Sequence, residues 1–228
     1  MINSNQYRIP KLENSKIIIT SNLYERLMFL VGRSTWIPSE HMCLFYGKET
    51  EKNVFYFDEM NVAEDYISLG EGSKDLQDYH VSPGDGQMAM DLQERIKTPG
   101  DGIVLDVHTH PSDVSDDLNL KDEYRYFSWG DLETGLVMSE YSAKYGKKYI
   151  IALIGVDRVN GNMTISSVMI NHIEKKVKLI EDIQVYNEYT KKSESLPKIG
   201  DIQLLYKNWG MDDVPLSKQV EESIKNLK

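Results

Sequence analysis

Two histidines stand two residues apart in the stretch GIVLDVHTHPSDVSDDLNLKDEYRYFSWGD, residues 102–131. Ahead of them, Ile103, Val104, Leu105 and Val107 form an apolar, β-rich run. Turn residues bound it, with Pro99, Gly100 and Gly102 before and Pro111 after, so it reads as a buried strand. Side chains alternate across a strand, so the imidazoles of His108 and His110 leave the same face and can grip one ion. Pro111 cannot continue a central strand, which predicts that the chain leaves the sheet there. Downstream, Ser128, Gly130 and Asp131 open a helical pattern, which places Asp131 in a first helical turn. Two neutral imidazoles and one carboxylate, with a fourth position left for water, are the ligand set of a catalytic zinc site. Zinc lowers the pKa of bound water to about 7, and such a water needs a base to take its proton. Glu40, in SEHMCLFYG at the start of an apolar run ending in Gly47, is the candidate base.

The set Glu40, His108-x-His110-Pro111 and Ser128-x-x-Asp131 resembles the JAMM (MPN-plus, JAB) metalloproteases. Glu40 followed seven positions later by Gly47 also looks like that family's glutamate strand. The resemblance covers residues 16–160 and is specific as a combination. It implies zinc held by His108, His110 and Asp131, with Glu40 as general acid and base. It also implies that Ser128 hydrogen-bonds the tetrahedral intermediate. The fold it implies is a three-layer α/β/α sandwich around a mixed sheet, like that of cytidine deaminases. The substrate it implies is a protein or peptide, cut at the C-terminal tail of ubiquitin or a ubiquitin-like protein. One departure concerns the third ligand. The gap between His110 and Ser128 is longer than is usual in the family, and Asp113, Asp116 and Asp117 inside it offer substitute carboxylates. Asp131 is preferred because SWGDLETG begins a helix, as the family's pattern requires.

The remaining elements must position these groups. KIIIT at Lys16–Thr20 reads as a first strand. Ser21 or Asn22 then caps a helix through Val31, with Gly32 suited to its end. Ile37-Pro38 breaks the chain before the Glu40 strand, Gly47 to Asn53 reads as a polar turn, and VFYF at Val54–Phe57 returns as a strand. Residues 61–82 form a long polar connection containing His80, mobile or a binding loop. Gln87 to Lys97 reads as a helix stopped by Thr98-Pro99-Gly100. Residues 112–127 lie at the mouth of the proposed site. There Tyr124, Arg125, Tyr126 and Phe127 are either a clamp for a peptide tail or rings tucked into the core. A helix from Leu132 to Tyr145 stops at Gly146, and YIIALIGV at Tyr149–Val156 is a strand buried on both faces. Asn160-Gly161 predicts a hairpin into Met163–Ile170. One further strand is expected from Lys175 to Val185, a polar break over 191–200, and a helix near Pro215 to Leu227. The expected division is a catalytic domain over 1–190 and a C-terminal extension over 191–228.

The 228 residues suffice for one domain with a sizeable core, and 40% hydrophobic with 27% charged residues are ordinary globular values. A net charge of −10 argues against a nucleic-acid or anionic-membrane surface. The single Cys43 excludes an internal disulfide and reads as a small buried hydrophobe. The polar start MINSNQYRIPKLENSK lacks a signal-peptide core, and no stretch approaches the ~18 apolar residues of a membrane span. A cytoplasmic protein is therefore expected.

Two other readings compete. LDVHTHP also looks like the first strand of amidohydrolase or phosphoesterase barrels, where Asp-x-His-x-His binds metal. Such a barrel needs about 250 residues, with this strand near its start. Over a hundred residues precede the motif here, and the C-terminal half offers only His172. The other reading is a non-catalytic MPN-type scaffold, against which the complete ligand set argues.

Overall fold

Around the histidine strand the chain builds one large mixed sheet. The computed structural model describes residues 7–8, 11–36, 41–62, 87–98, 102–111, 127, 129–156, 163–173, 176–180, 182–196 and 205–206. The elements are β1 (Tyr7–Arg8), β2 (Lys16–Thr20), α1 (Ser21–Trp36), β3 (Met42–Glu51), β4 (Val54–Val62), α2 (Gln87–Lys97) and β5 (Ile103–Pro111). They continue with α3 (Trp129–Ala143), β6 (Lys148–Val156), β7 (Met163–Asn171), β8 (Lys176–Ile180), β9 (Asp182–Asn187), β10 (Lys192–Ser195) and β11 (Leu205–Tyr206). Nine strands lie in the order β10-β9-β2-β4-β3-β5-β6-β7-β8, while β1 and β11 form a separate antiparallel pair. β5 is central, antiparallel to β3 and parallel to β6. The fold is mixed α/β.

Alternation along the central strands sorts the core into two clusters. Ile103, Leu105 and Val107 of β5 join Cys43, Phe45, Ile150 and Ala152 in a cluster with Leu23, Leu27, Leu30 and Val31 of α1. Val104 joins Met42, Leu44, Tyr46, Ile151 and Leu153 in a cluster with Leu92 and Ile96 of α2 and Leu132 and Leu136 of α3. The even-numbered face of β5 is therefore the α3 face. His108 and His110 share the parity of Val104, so the pleat alone aims both toward α3.

α3 approaches the sheet closely because Gly135 has no side chain. A Cβ there would stand 2.0 Å from Ile151 Cδ1 and 2.7 Å from Ile170 Cδ1. Asp131, four residues earlier, lies on the same side of the helix, one turn nearer its N-terminus. The helix ends before Gly146, whose φ of +73° lets the Gly146 and Lys147 amides turn back to the carbonyls of Ala143 and Ser142.

Several boundaries differ from the sequence reading, each for a visible reason. Thr20, not Ser21 or Asn22, caps α1: its Oγ1 accepts the Leu23 amide at 3.3 Å. Gly32 does not end α1, which runs on to Trp36. β3 passes through Gly47 to Glu51, because a register shift between Tyr46 and Gly47 carries the pairing on. Glycine is required there, since a Cβ would meet the Tyr56 carbonyl oxygen at 2.0 Å. The hairpin turn is at Asn53, with φ +63°, whose amide donates to Glu49 Oε1 at 2.7 Å. Pro111 is the last residue of β5, paired with Val156, where the missing N–H costs least.

The single strand expected from Lys175 to Val185 is two strands at opposite ends of the sheet order. β8 pairs with β7, whereas β9, one residue later, pairs with β2. Lys11, just before β2, bridges Leu179 of β8, and the Leu12 amide donates to the Leu179 carbonyl at 2.8 Å. The sheet thus curls until its two ends meet along residues 176–187. Residues 192–195, expected in a polar break, form β10 and pair antiparallel with β9. Residues 63–86, 112–126, the Asn160-Gly161 turn and the expected helix at 215–227 lie outside the described residues. Among the described residues, no helix is long and apolar enough to cross a membrane.

Candidate metal centre

β5 and α3 bring the three predicted ligands together. His108 Nε2 lies 3.4 Å from Asp131 Oδ1, and His110 Nε2 lies 3.6 Å from Asp131 Oδ2. The two imidazole centroids are 5.0 Å apart, with the ring planes at 55°. One donor atom from each residue falls within 4.8 Å of the others. His108 and His110 are only 7% and 9% exposed, and Asp131 is half-buried. Two nitrogens and two oxygens converge in this largely buried recess. His108 Nε2 is buried with no hydrogen-bond partner. A cation at the convergence point removes that cost, and the N/N/O donor set suits zinc or a similar divalent metal.

Electrostatics favour positive charge here. Burial alone would lower the His108 pKa, but the Asp131 and Asp106 carboxylates override it and hold it well above the ordinary value. The recess therefore takes a proton when no larger cation is present, and a metal ion competes for the same place.

Phe127 belongs to the core, 5% exposed, with its ring edge-on to His108 at a centroid distance of 6.3 Å. It is a wall of the site rather than an exposed clamp residue. Tyr124 and Tyr126 lie outside the described residues, as do Glu40, Ser128, His80, Asp113, Asp116 and Asp117. The chain next to Glu40 is nevertheless well anchored. The His41 amide donates to Thr109 Oγ1 at 2.9 Å, and the Thr109 amide donates to the His41 carbonyl at 2.9 Å. The hydroxyls of Ser34 and Thr109 are hydrogen-bonded at 2.6 Å. His41 is thus tied to β5 between the two histidines, from the α1 side.

Three buried residues escaped the sequence reading. His41, 5% exposed, adjoins Glu40 in SEH, and as a lone histidine it carries no spacing signal of its own. Thr109 lies between the histidines on the opposite face of β5, where its hydroxyl reaches α1. Asp106, also 5% exposed, precedes His108 by two residues and so shares its face. Its spacing is legible in LDVHTHP, where it also fits the Asp-x-His-x-His of a barrel motif.

The sequence matches no family model and no curated protein. Among solved structures, a Desulfitobacterium hafniense protein determined in solution is similar over 75% of this chain and 94% of its own, with a TM-score of 0.42 and 13% identity.

Proposed function

We propose that this protein is a zinc-dependent hydrolase of the JAMM type, cleaving a peptide or isopeptide bond. The observation that carries the reading is the convergence of His108 Nε2, His110 Nε2 and both Asp131 oxygens in a buried recess. With it goes the finer fold assignment, a three-layer α/β/α sandwich of the cytidine-deaminase kind. That assignment agrees with α1 packing on one face of the curled sheet and α2 and α3 on the other. A barrel of the amidohydrolase type is disfavoured, because it needs parallel neighbours on both sides of the histidine strand and β3 runs antiparallel to β5.

His108, His110 and Asp131 hold the ion. When bound, zinc supplies Lewis acidity that polarises the scissile carbonyl and acidifies water. Glu40 accepts the water's proton and passes it to the leaving amine. Ser128 donates a hydrogen bond to the developing oxyanion. Phe127 and the apolar residues beneath it keep bulk water from the back of the recess, which strengthens each polar interaction within it. The substrate is a protein or peptide, with the C-terminal tail of ubiquitin or a ubiquitin-like protein as the leading candidate. Such a tail can lie extended along a strand edge. A net charge of −10 suits a neutral or basic partner rather than nucleic acid.

The test is turnover of a panel of ubiquitin-like conjugates by purified protein, with and without a chelator. Chelator-sensitive cleavage of one conjugate is the expected result. Zinc binding without cleavage of any conjugate or peptide would point instead to a non-catalytic scaffold.

A further inference from the structure

Asp106 takes no part in the cluster of donors. Only His108, His110 and Asp131, among the described residues, place donor atoms within 4.8 Å of one another. Asp106 instead stands behind His108 on the same face of β5. Its Oδ2 accepts a hydrogen bond from the Tyr149 hydroxyl at 2.8 Å, while its buried Oδ1 has no hydrogen-bond partner. That free oxygen lies 3.8 Å from His108 Nδ1. The His108 ring thus stands between two carboxylates, with Nε2 toward Asp131 and Nδ1 toward Asp106.

We propose that Asp106, steadied by Tyr149, is the positioning residue that fixes the orientation and tautomer of His108, so that Nε2 is the atom offered to the metal. The proposal rests on the zinc reading above. A neutral imidazole carries one proton, and it can ligate through Nε2 only when that proton sits on Nδ1. A carboxylate facing Nδ1 selects that tautomer, and its negative charge makes Nε2 a better electron-pair donor. At 3.8 Å the contact is longer than a hydrogen bond, so the role requires the two groups to draw together when Nε2 holds the ion. Tyr149 supplies what the carboxylate needs to hold its place. It is 2% exposed, sits on the neighbouring strand β6, and satisfies Oδ2 so that Oδ1 is left for His108. A carboxylate serving only to hold Tyr149 would leave Oδ1 buried and unpaired, an arrangement native proteins rarely keep without use.

The experiment combines zinc affinity with imidazole nitrogen spectra. Zinc dissociation constants would be measured by chelator competition for the wild-type protein, Asp106→Asn and Tyr149→Phe. The spectra would be recorded on zinc-loaded, ¹⁵N-labelled wild-type protein. Asp106→Asn is expected to weaken zinc binding by about 10–100-fold, with a smaller loss for Tyr149→Phe. The His108 signals are expected to show Nε2 on the metal and a proton on Nδ1. Affinity of a folded Asp106→Asn within twofold of wild type, or ligation through Nδ1, overturns the role of Asp106 while leaving the zinc site standing. If Asp106→Asn does not fold, the wild-type spectra decide alone. Wild-type protein that binds no zinc through His108 overturns the metal reading and this inference together.

Discussion

His41 and Thr109 hold each other by two backbone-centred hydrogen bonds, each of 2.9 Å, one through the threonine hydroxyl and one through its amide. The same hydroxyl meets Ser34 of α1 at 2.6 Å. Thr109 is the residue between the two histidines, so one side of β5 presents the candidate metal ligands while the other holds His41. Alternation in a single strand lets β5 carry the candidate ion site on one face and hold His41 from the other.

Thr109→Val keeps the shape of this side chain and removes the hydroxyl. It leaves the buried His41 amide without that acceptor, which costs about 1–3 kcal/mol. Thr109→Ser keeps the oxygen and should cost less. Zinc content should survive in both, because the imidazoles are on the opposite face. Denaturant unfolding beside elemental analysis checks this. Equal stability of Thr109→Val and wild type would show that the clamp is not formed in solution.

The metal ligands give a second expectation. Asp131 faces both histidines, so His108→Ala and Asp131→Asn should each lose bound zinc, while Asp113→Asn and Asp116→Asn should retain it. Zinc kept by Asp131→Asn and lost from Asp113→Asn or Asp116→Asn would move the third ligand into the loop.

The grouping of His108, His110 and Asp131 was legible because it rests on local pattern: period two along β5, and a helix start that puts Asp131 in its first turn. The two-strand character of residues 176–187 was not. Val177, Leu179, Ile183 and Val185 share one parity, interrupted only by Glu181, yet the first two join the cluster that holds α3 and the last two the cluster that holds α1. The charged pair Glu181-Asp182 marks the break between β8 and β9, but the curl of the whole sheet that sends them to different partners has no local signal. Asp106, His41 and Thr109 were missed for a related reason. Each acts on a neighbour brought close by pairing or pleat, and none belongs to a familiar spacing.

The seam between α3 and the sheet gives a third expectation. Gly135→Ala puts a methyl against Ile151 and Ile170 side chains that are themselves buried, so they have little room to yield. Overpacking of this kind costs about 1–3 kcal/mol. Because Asp131 is one turn away, zinc should also bind more weakly than to wild type. Unchanged stability together with unchanged zinc affinity would show that the helix is not seated this closely.

Cys43 tests the burial beneath the site. It is fully buried, and burial, with the Asp106 carboxylate adding to it, pushes the thiol pKa well above its ordinary value. The unfolded thiol ionises near about 8.5. This contribution is therefore fully present below that value and is lost as pH rises through it toward the raised folded pKa, with a limiting slope of about 1.4 kcal/mol per pH unit. Stability should fall between pH 8.5 and 10, and Cys43→Ala should reduce the slope. Thiol-specific labelling of native protein at pH 8 should be slow and limited by opening. Rapid stoichiometric labelling of folded protein would contradict the burial.

The last expectation separates chemistry from binding. Glu40 is proposed to move protons and not to hold the ion, so Glu40→Gln should keep zinc content and fold. Glutamine has nearly the shape of glutamate but cannot accept the water's proton. General acid–base help is worth about 10²–10⁴ in rate, so kcat should fall by at least the lower factor while substrate affinity changes little. The other nearby glutamates have different work. Glu49 is engaged by Lys148 and the Asn53 amide at the hairpin end, and Glu59 is paired with Arg95 of α2. Burial opposes ionisation of Glu49, but the hydrogen bonds from Lys148 and the Asn53 amide, together with the Lys148 charge, outweigh it and hold the pKa below its ordinary value. Glu49→Gln should therefore leave turnover near wild type and supplies the control. Near-normal turnover in Glu40→Gln, with zinc bound and cleavage still chelator-sensitive, would remove the glutamate from the mechanism and require another group to take the proton.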